Sequence, residues 1–295
     1  MSRLNYFWIV LAVFSATLIT LWFYPPSADF NVENIRWNGA SQFSSRMGSI
    51  AINTFEDIPD RPANTVLIVV PYIEFAPGEL EQIGSYILGG GTLILMDDYG
   101  HGNEVLKSLD VDYRFDNIPL LDPLIHYKNE QFPIITNIHA SPLTFEVTTL
   151  VFDHAVRLVN VPDTEIVARS SSFSFIDLDR DTLYDDDMEA KSSSVVAANT
   201  LIGEGRIITI SDPSIIINGM IDMEDNYTIM ANAVALGTSN PKVYFDQSHL
   251  PEEELSEVKS GLRTARNGAA YPAVLSVMVG AVLLITLRPL WARRR

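Results

Sequence analysis

The chain has 295 residues, and its net charge of −17 excludes a protein that binds a phosphate backbone, because nucleic-acid binding needs clustered lysine and arginine. It contains no cysteine, which excludes disulfides, thiolate catalysis and cysteine-ligated zinc. Hydrophobic residues make up 47% of the sequence, with long apolar runs near both ends. This length allows one large domain or two small ones between those runs.

The first apolar run, residues 6–24, reads YFWIVLAVFSATLITLWFY and carries no charge. A membrane-spanning helix needs about 20 such residues. Tyrosine and tryptophan lie at both of its ends, as interfacial aromatic residues do. We predict an uncleaved transmembrane helix, because the run is longer than the roughly 7–15 residues of a signal-peptide core. Removal as a signal peptide is the alternative.

Residues 28–250 alternate between strand-like and helix-like patterns. In chain order the predicted elements are a strand over 65–71, a helix from Pro77 to the glycines at 89–91, a strand over 92–97, a short helix over 102–110 with Asn103 as its N-cap, extra strands within 120–167, a strand over 206–212, a helix from Pro213, a helix over 226–237 and a strand over 242–246. The runs TVLIVVP and TLILMD are continuously apolar, as strands buried on both faces are. The alternation predicts a doubly wound α/β domain with a parallel sheet and an added, partly antiparallel β-rich segment.

The end of the chain repeats the membrane signal. Residues 251–268 have one apolar stripe, and this pattern predicts a juxtamembrane amphipathic helix. The apolar run over 269–288 predicts a second transmembrane helix. The tail 289–295 is basic, which by the positive-inside rule places it and residues 1–5 in the cytoplasm. We therefore predict a plasma-membrane protein with two spans in the lipid bilayer and with domain 28–250 extracytoplasmic. The opposite orientation stays open, because basic residues also precede the second span.

Four segments resemble, in this order, an uncharacterised membrane-protein family of archaea and bacteria, domain of unknown function 4350: ELEQIGSYILGGGTLILMDDYGHGNEVLKSL, SFSFIDLDRD, GEGRIITISDPSIIINGMIDMEDN and KVYFDQSH. The resemblance covers most of 65–249 and implies a flavodoxin-like, class I glutamine amidotransferase-like domain held between membrane segments. Members are often encoded beside MoxR-type ATPases, which implies a protein partner in the membrane. The amidotransferase fold normally carries a Cys-His-Glu triad. Without cysteine, glutaminase activity is excluded.

The segment FSFIDLDRDTLYDDDMEA holds seven acidic residues between 177 and 189. In the family that the chain resembles, this place tends to have the spacing of a calcium loop, with oxygen ligands at positions 1, 3, 5, 9 and 12. The first four positions are filled here by Asp177, Asp179, Asp181 and Asp185. Thr182 occupies the position where a calcium loop has glycine. Met188 occupies the position where it has glutamate, and Glu189 follows one residue later. A structural calcium ion and a solvated loop without an ion are the two alternatives.

Two turns that follow predicted strands are the candidate ligand-binding positions, since open α/β sheets bind ligands at the carboxyl ends of their strands. The residues are Asp97, Gly100, His101, Gly102 and Asp212. Purely structural interpretations compete with this one: a tight turn at 99–104, and a helix start in which Asp212 is the N-cap and Pro213 the first-turn residue. A further hypothesis joins Asp97, Asp212 and His249 as an acid/base group.

No nucleophile motif accompanies these residues, so we assign no catalytic residue. The double anchoring and the missing catalytic chemistry favour a non-catalytic, membrane-anchored, extracytoplasmic binding or scaffold module in an ATPase-linked membrane complex. Two alternatives stay open. One is a surface hydrolase that uses the strand-end carboxylates, and the other is an auxiliary subunit of a transport or export system.

Overall fold

The computed structural model describes residues 26–59, 62–236 and 240–251, together with Val10, Val13, Phe14, Ala16 and Thr17. Ser27–Pro251 form one compact unit. The other unit, Met1–Pro26 with Glu252–Arg295, contains both predicted membrane segments and lies almost entirely outside the described residues, as does the predicted helix over 251–268 from residue 252 onwards. Within the part of the chain that is described, no helix is both long and apolar enough to cross a membrane.

The compact unit contains four α-helices among the described residues: α1 (Ser41–Met47), α2 (Pro77–Leu88), α3 (Gly102–Ser108) and α4 (Asn226–Ala235). Short 3₁₀ helices cover Phe55–Asp57, Pro142–Thr144, Asp163–Glu165 and Pro213–Ile216. The strands are β1 (Ile50–Ile52), β2 (Thr65–Val69), β3 (Thr92–Met96), β4 (Arg114–Phe115), β5 (Leu120–Leu121), β6 (Ile134–Ile135), β7 (Asn137–Ile138), β8 (Leu150–Val151), β9 (Leu158–Val159), β10 (Ile166–Arg169), β11 (Phe175–Ile176), β12 (Val195–Ile202), β13 (Gly205–Ile210) and β14 (Lys242–Asp246).

The main sheet is mixed. Its order is β1-β14-β2-β3-β13-β12-β10-β7, and the first five strands are parallel while the last three pair antiparallel. The same sheet includes β4 and β9, which pair antiparallel with each other, and β9 also pairs with β12. The antiparallel pairs β5–β11 and β6–β8 are separate from it. The α/β fold is therefore confirmed with a mixed sheet, in which the predicted parallel strands are joined by β7, β9 and β10 of the added segment.

Helices cover the parallel part of the sheet on both faces. In β2, Val66 and Ile68 pack into the core that also holds Phe43 of α1 and Met230 of α4. The alternate residues of β2 pack into a second core with α2 and α3. Strand residues alternate between faces, so a strand that is apolar throughout can fill two cores at once. Each such buried side chain contributes about 1.5–3 kcal/mol to folding.

Helix α2 joins β2 to β3 and shows why this segment is helical. Pro77 occupies the first turn, where its missing N–H costs nothing, and Glu79 accepts the backbone N–H of Ala76 at 2.7 Å. The helix ends before Gly90, which has a left-handed φ of 95°. Ile83, Tyr86 and Ile87 form its buried face. The chain then enters β3 beside β2, which gives the predicted β-α-β unit.

Two local predictions need correction, and one strand was not predicted. The helix predicted from Pro213 is a 3₁₀ turn that ends at Ile216. Asn103 is not the cap of α3, whose N-cap is His101. The Asn103 side chain instead forms two hydrogen bonds with the backbone of Phe115. Its Oδ1 accepts the Phe115 N–H at 2.9 Å, and its Nδ2 donates to the Phe115 carbonyl at 2.8 Å. The antiparallel β12, which separates β13 from the added segment, was not predicted because its direction depends on pairing with distant residues.

Candidate functional site

Three parallel strands end at buried aspartates on one edge of the sheet. Asp97 follows β3, Asp212 follows β13 by one further residue, and Asp246 is the last residue of β14. All three are fully buried. Sequence reasoning named Asp97 and Asp212 but missed Asp246, although it shows the same signal of an acidic residue at the end of an apolar strand. An ionised carboxylate is costly to bury, so the partners of each one are informative.

Asp97 holds the turn that leads into α3. Its Oδ1 accepts the Gly100 N–H at 2.8 Å and its Oδ2 accepts the Gly102 N–H at 2.7 Å, while the His101 N–H donates to the Pro71 carbonyl at 2.7 Å. A Cβ on Gly100 would lie 2.2 Å from that carbonyl oxygen, so only glycine fits. The backbone N–H groups of Gly100, His101 and Gly102, which an anion would use, thus already have acceptors within the protein. Burial nevertheless raises the pKa of Asp97 to about 7.

Asp212 acts as the predicted N-cap. Its Oδ1 accepts the Ser214 N–H at 2.7 Å, and Pro213 occupies the first turn. Its Oδ2 accepts the backbone N–H of Asp153 at 2.7 Å, which ties β13 to the added β-rich segment. Burial raises the pKa of Asp212 well above its usual range. This carboxylate therefore holds two loops together at the edge of the sheet.

Tyr72 and Asp98 form a hydrogen-bonded pair at the same edge of the sheet, after β2 and β3. The Tyr72 hydroxyl donates to Asp98 Oδ1 at 2.8 Å, and the Tyr99 N–H donates to the same oxygen at 2.6 Å. Burial raises the pKa of Tyr72, and the negative charges of Asp98, Asp97 and Asp212 raise it further, so Tyr72 stays a hydrogen-bond donor. Neither residue was singled out from the sequence, because the contact depends on two adjacent strands.

A cavity of about 350 Å³ opens beside this pair. Its lining residues are Asp29, Phe30, Trp37, Asn38, Tyr72, Asp98, Tyr99, Asp153, His154, Ser214 and Ile217. Aromatic rings and carboxylates predominate, and Tyr72 stacks on Phe30 with ring centroids 5.6 Å apart. His154 contacts the carboxylate of Asp153, and this hydrogen bond raises the pKa of His154 although burial opposes it. The cavity lies where α/β sheets place their ligands.

His249 has partners other than Asp97 and Asp212. Its Nδ1 lies 2.7 Å from Asp246 Oδ2, and its Nε2 lies 3.4 Å from Glu79 Oε2. The ring stacks against Phe75 at 4.1 Å and Phe55 at 5.2 Å between centroids. Both ring nitrogens of His249 therefore contact carboxylates, those of Asp246 and Glu79, that were not predicted from the sequence.

The acidic loop folds back on itself. Asp177, Asp179 and Glu189 each offer one carboxylate oxygen, and these atoms lie within 4.8 Å of one another. Asp181 and Asp185 are outside this group. Their carboxylates accept backbone N–H groups of the same loop, from Leu183 at 2.8 Å and from Asp187 at 3.0 Å. Of the four predicted ligands, only Asp177 and Asp179 belong to this group, and its third member is Glu189.

No curated protein sequence shows significant similarity to the chain. Among solved structures, it is similar to the mmIFT52 N-terminal domain, with 15% identity, a TM-score of 0.49, and coverage of 64% of this chain and 84% of that one. A ThuA-like protein from Bacteroides uniformis shows 13% identity, a TM-score of 0.37, and coverage of 80% and 88%. A beta-galactosidase from Bacillus circulans shows 13% identity, a TM-score of 0.37, and coverage of 57% and 22%. With TM-scores below 0.5, these likenesses carry no functional conclusion.

A protein-family model also matches the chain. The model of a domain of unknown function, DUF4350, matches residues 32–234, which is more than half of the chain and includes the Asp97 turn, the acidic loop and Asp212. The first three segments that suggested this resemblance lie within the matched range, and the fourth, KVYFDQSH, lies after it. The chain therefore belongs to the DUF4350 family.

Proposed function

We propose that Ser27–Pro251 form a non-catalytic binding module, which the predicted spans anchor in the membrane with the module outside the cytoplasm. The cavity at the carboxyl ends of the parallel strands is the observation that supports this function. Its volume of about 350 Å³ suits one small organic molecule, and seven of its eleven lining residues are phenylalanine, tryptophan, tyrosine or aspartate. Known ligand sites of open α/β sheets occur at this edge.

The lining chemistry narrows the class of ligand. The carboxylate of Asp98 accepts hydrogen bonds from Tyr72 and Tyr99, the carboxylate of Asp153 contacts His154, and Trp37 is a further aromatic residue of the lining. Trp37 is 70% exposed and lines the cavity, so its ring is accessible to a bound molecule. A small molecule with amine or hydroxyl donors beside an apolar face fits this combination, because aromatic faces attract cations and C–H groups.

Replacement of Trp37 by alanine is expected to weaken binding about fivefold, corresponding to about 1 kcal/mol of aromatic contact. The probes are a set of primary amines, polyamines and monosaccharides, observed by saturation-transfer NMR with the full-length protein in detergent. Leu201→Ala is the matched control, since Leu201 is also 70% exposed but lies on β12 opposite Arg206, at the other end of β13. Equal binding by both variants, or no binding of any probe to the unaltered protein, would contradict the proposal.

The hydrolase alternative finds less support in the geometry. Both oxygens of Asp97 and both oxygens of Asp212 accept backbone N–H groups. A general base must have an oxygen directed at a substrate or a water molecule, within hydrogen-bond reach. Both side chains are also fully buried, so neither carboxylate is accessible to a substrate in this structure. A binding role leaves every one of these hydrogen bonds in place.

The module also belongs, in our proposal, to a membrane complex with a protein partner, which the association of the resembled family with MoxR-type ATPases supports. The auxiliary export subunit is the competing assignment. We expect mild crosslinking in native membranes, followed by affinity purification, to return an ATPase or the membrane proteins encoded beside it. Recovery of transport proteins would favour the export assignment, and recovery of the chain alone would contradict both.

A further inference from the structure

The loop between β11 and β12 concentrates carboxylates, and among the described residues none of Asp177, Asp179 and Glu189 forms an ion pair within 4 Å with a lysine, arginine or histidine. Asp177 is 1% exposed and Glu189 is 6% exposed, yet both lie within one acidic group with Asp179. The basic residues of this segment are engaged elsewhere: Arg180 donates to the Asn117 carbonyl at 3.0 Å, and the Lys191 ammonium lies 3.7 Å from the ring centroid of Tyr184. Like charges this close repel one another, and burial increases the cost.

An independent observation points to a missing partner. The Oδ2 atom of Asp177 accepts the Thr182 N–H at 3.1 Å, but its Oδ1 atom is buried and has no hydrogen-bond partner among the described residues. Leaving such an acceptor unsatisfied costs about 1–3 kcal/mol. In native proteins, an unsatisfied buried oxygen commonly marks the position of a water molecule or an ion. Here the oxygen belongs to a residue that already faces two other carboxylates.

The rest of the loop is arranged around this group. The N–H of Leu178 donates to Glu189 Oε1 at 2.8 Å and the N–H of Asp185 donates to Glu189 Oε2 at 3.0 Å, so the carboxylate of Glu189 is held in a fixed position. Thr182, at the place where a calcium loop has glycine, takes the left-handed φ of 67° that this place requires. Glu189, and not Met188 where the spacing placed a ligand, lies within this acidic group.

We propose that Asp177, Asp179 and Glu189 bind one Ca²⁺ ion, with Asp177 Oδ1 as its most buried ligand. Calcium fits better than magnesium because it accepts irregular sets of carboxylate oxygens, whereas magnesium requires near-ideal octahedral geometry. The ion joins the two ends of the loop. It thereby fixes the connection from β11, which pairs with β5, to the central strand β12. This inference is independent of the ligand cavity.

The test uses the full-length protein in detergent, stripped with a chelator, and follows thermal unfolding during titration with CaCl₂ or MgCl₂. A ligand that binds only the folded state raises the melting temperature by mass action. We expect a saturable rise of about 5 °C or more with Ca²⁺ at a hundredfold excess over its dissociation constant, and a much smaller rise with Mg²⁺. Isothermal titration is expected to give one Ca²⁺ per chain.

Two isosteric variants in the same loop separate a site from a diffuse charge effect. Asp177→Asn is expected to abolish the response to Ca²⁺ and to raise the melting temperature in chelator, because the unpaired buried charge is gone. Asp181→Asn removes the same charge outside the group and is expected to keep a dissociation constant within threefold of the unaltered protein. A normal Ca²⁺ response in Asp177→Asn, an equal loss in Asp181→Asn, or no response in the unaltered protein up to 10 mM would overturn the assignment.

Discussion

Replacing His249 by alanine is expected to lower the free energy of unfolding by about 4 kcal/mol. The ring is 3% exposed, stacks against Phe55 and Phe75, and its removal leaves a void between them. It also leaves Oδ2 of the fully buried Asp246 without its partner. Urea unfolding of the purified full-length protein measures the change. His139→Ala is the control, because that histidine is exposed.

A second variant divides the His249 effect into its two causes. His249→Phe keeps an aromatic ring against Phe75 but removes the hydrogen bond to Asp246, so we expect it to recover about half of the loss. The double variant with Asp246→Asn is expected to recover more, because no charge is then left buried without a partner. A loss below about 1 kcal/mol in His249→Ala would show that this contact is not important for stability.

His249 also gives a pH dependence with a definite sign. Burial alone would lower the pKa of His249, but the hydrogen bond and charge of Asp246, with Glu79, raise it above its ordinary value. A raised folded-state pKa means that the folded protein binds the proton more tightly than the unfolded chain. The resulting stabilisation is complete below about pH 6.5 and is lost as the pH rises through the folded-state value.

The second large effect concerns Asp97, and it too depends on pH. Burial raises the pKa of Asp97 from 3.8 to about 7. The protonated residue therefore contributes stability that is complete below pH 3.8 and is lost by about pH 7, a change of about 4 kcal/mol. Asp97→Asn cannot titrate, and its side-chain N–H₂ group must face one of the two backbone N–H groups that Asp97 accepts. We expect this variant to be destabilised by about 3 kcal/mol or more at pH 5.

The pH series supplies the decisive comparison for Asp97. The difference in unfolding free energy between the unaltered protein and Asp97→Asn is expected to shrink steadily between pH 5 and pH 8, since only the unaltered protein loses its proton there. Urea unfolding at four pH values measures it. Asp112→Asn, an exposed aspartate, serves as the control and is expected to change little. A difference that stays constant with pH would contradict burial as the dominant influence on Asp97.

Much of the candidate site was local enough to predict. Asp97 directly follows a continuously apolar strand and Asp212 follows a largely apolar one by one further residue, and carboxylates at these places lie at the carboxyl edge of a parallel sheet. The N-cap role of Asp212 also depends only on its neighbours, because the acceptor and the N–H of Ser214 are two residues apart. The contact of Tyr72 with Asp98 and the pairing of His249 with Glu79 join distant segments, and no periodicity shows them.

The sequence by itself determined the apolar strands β2, β3, β13 and β14, the helices α2 and α4, and the place of the acidic loop, because apolar periodicity and charge are properties of consecutive residues. Only the tertiary structure decided the direction of β12, which depends on the register Ala197 to Ile210 with β13. It also decided that Glu189, and not Asp181 or Asp185, meets Asp177. Carboxylates close in sequence turn toward different backbone amides once the loop folds, so spacing alone could not choose among them.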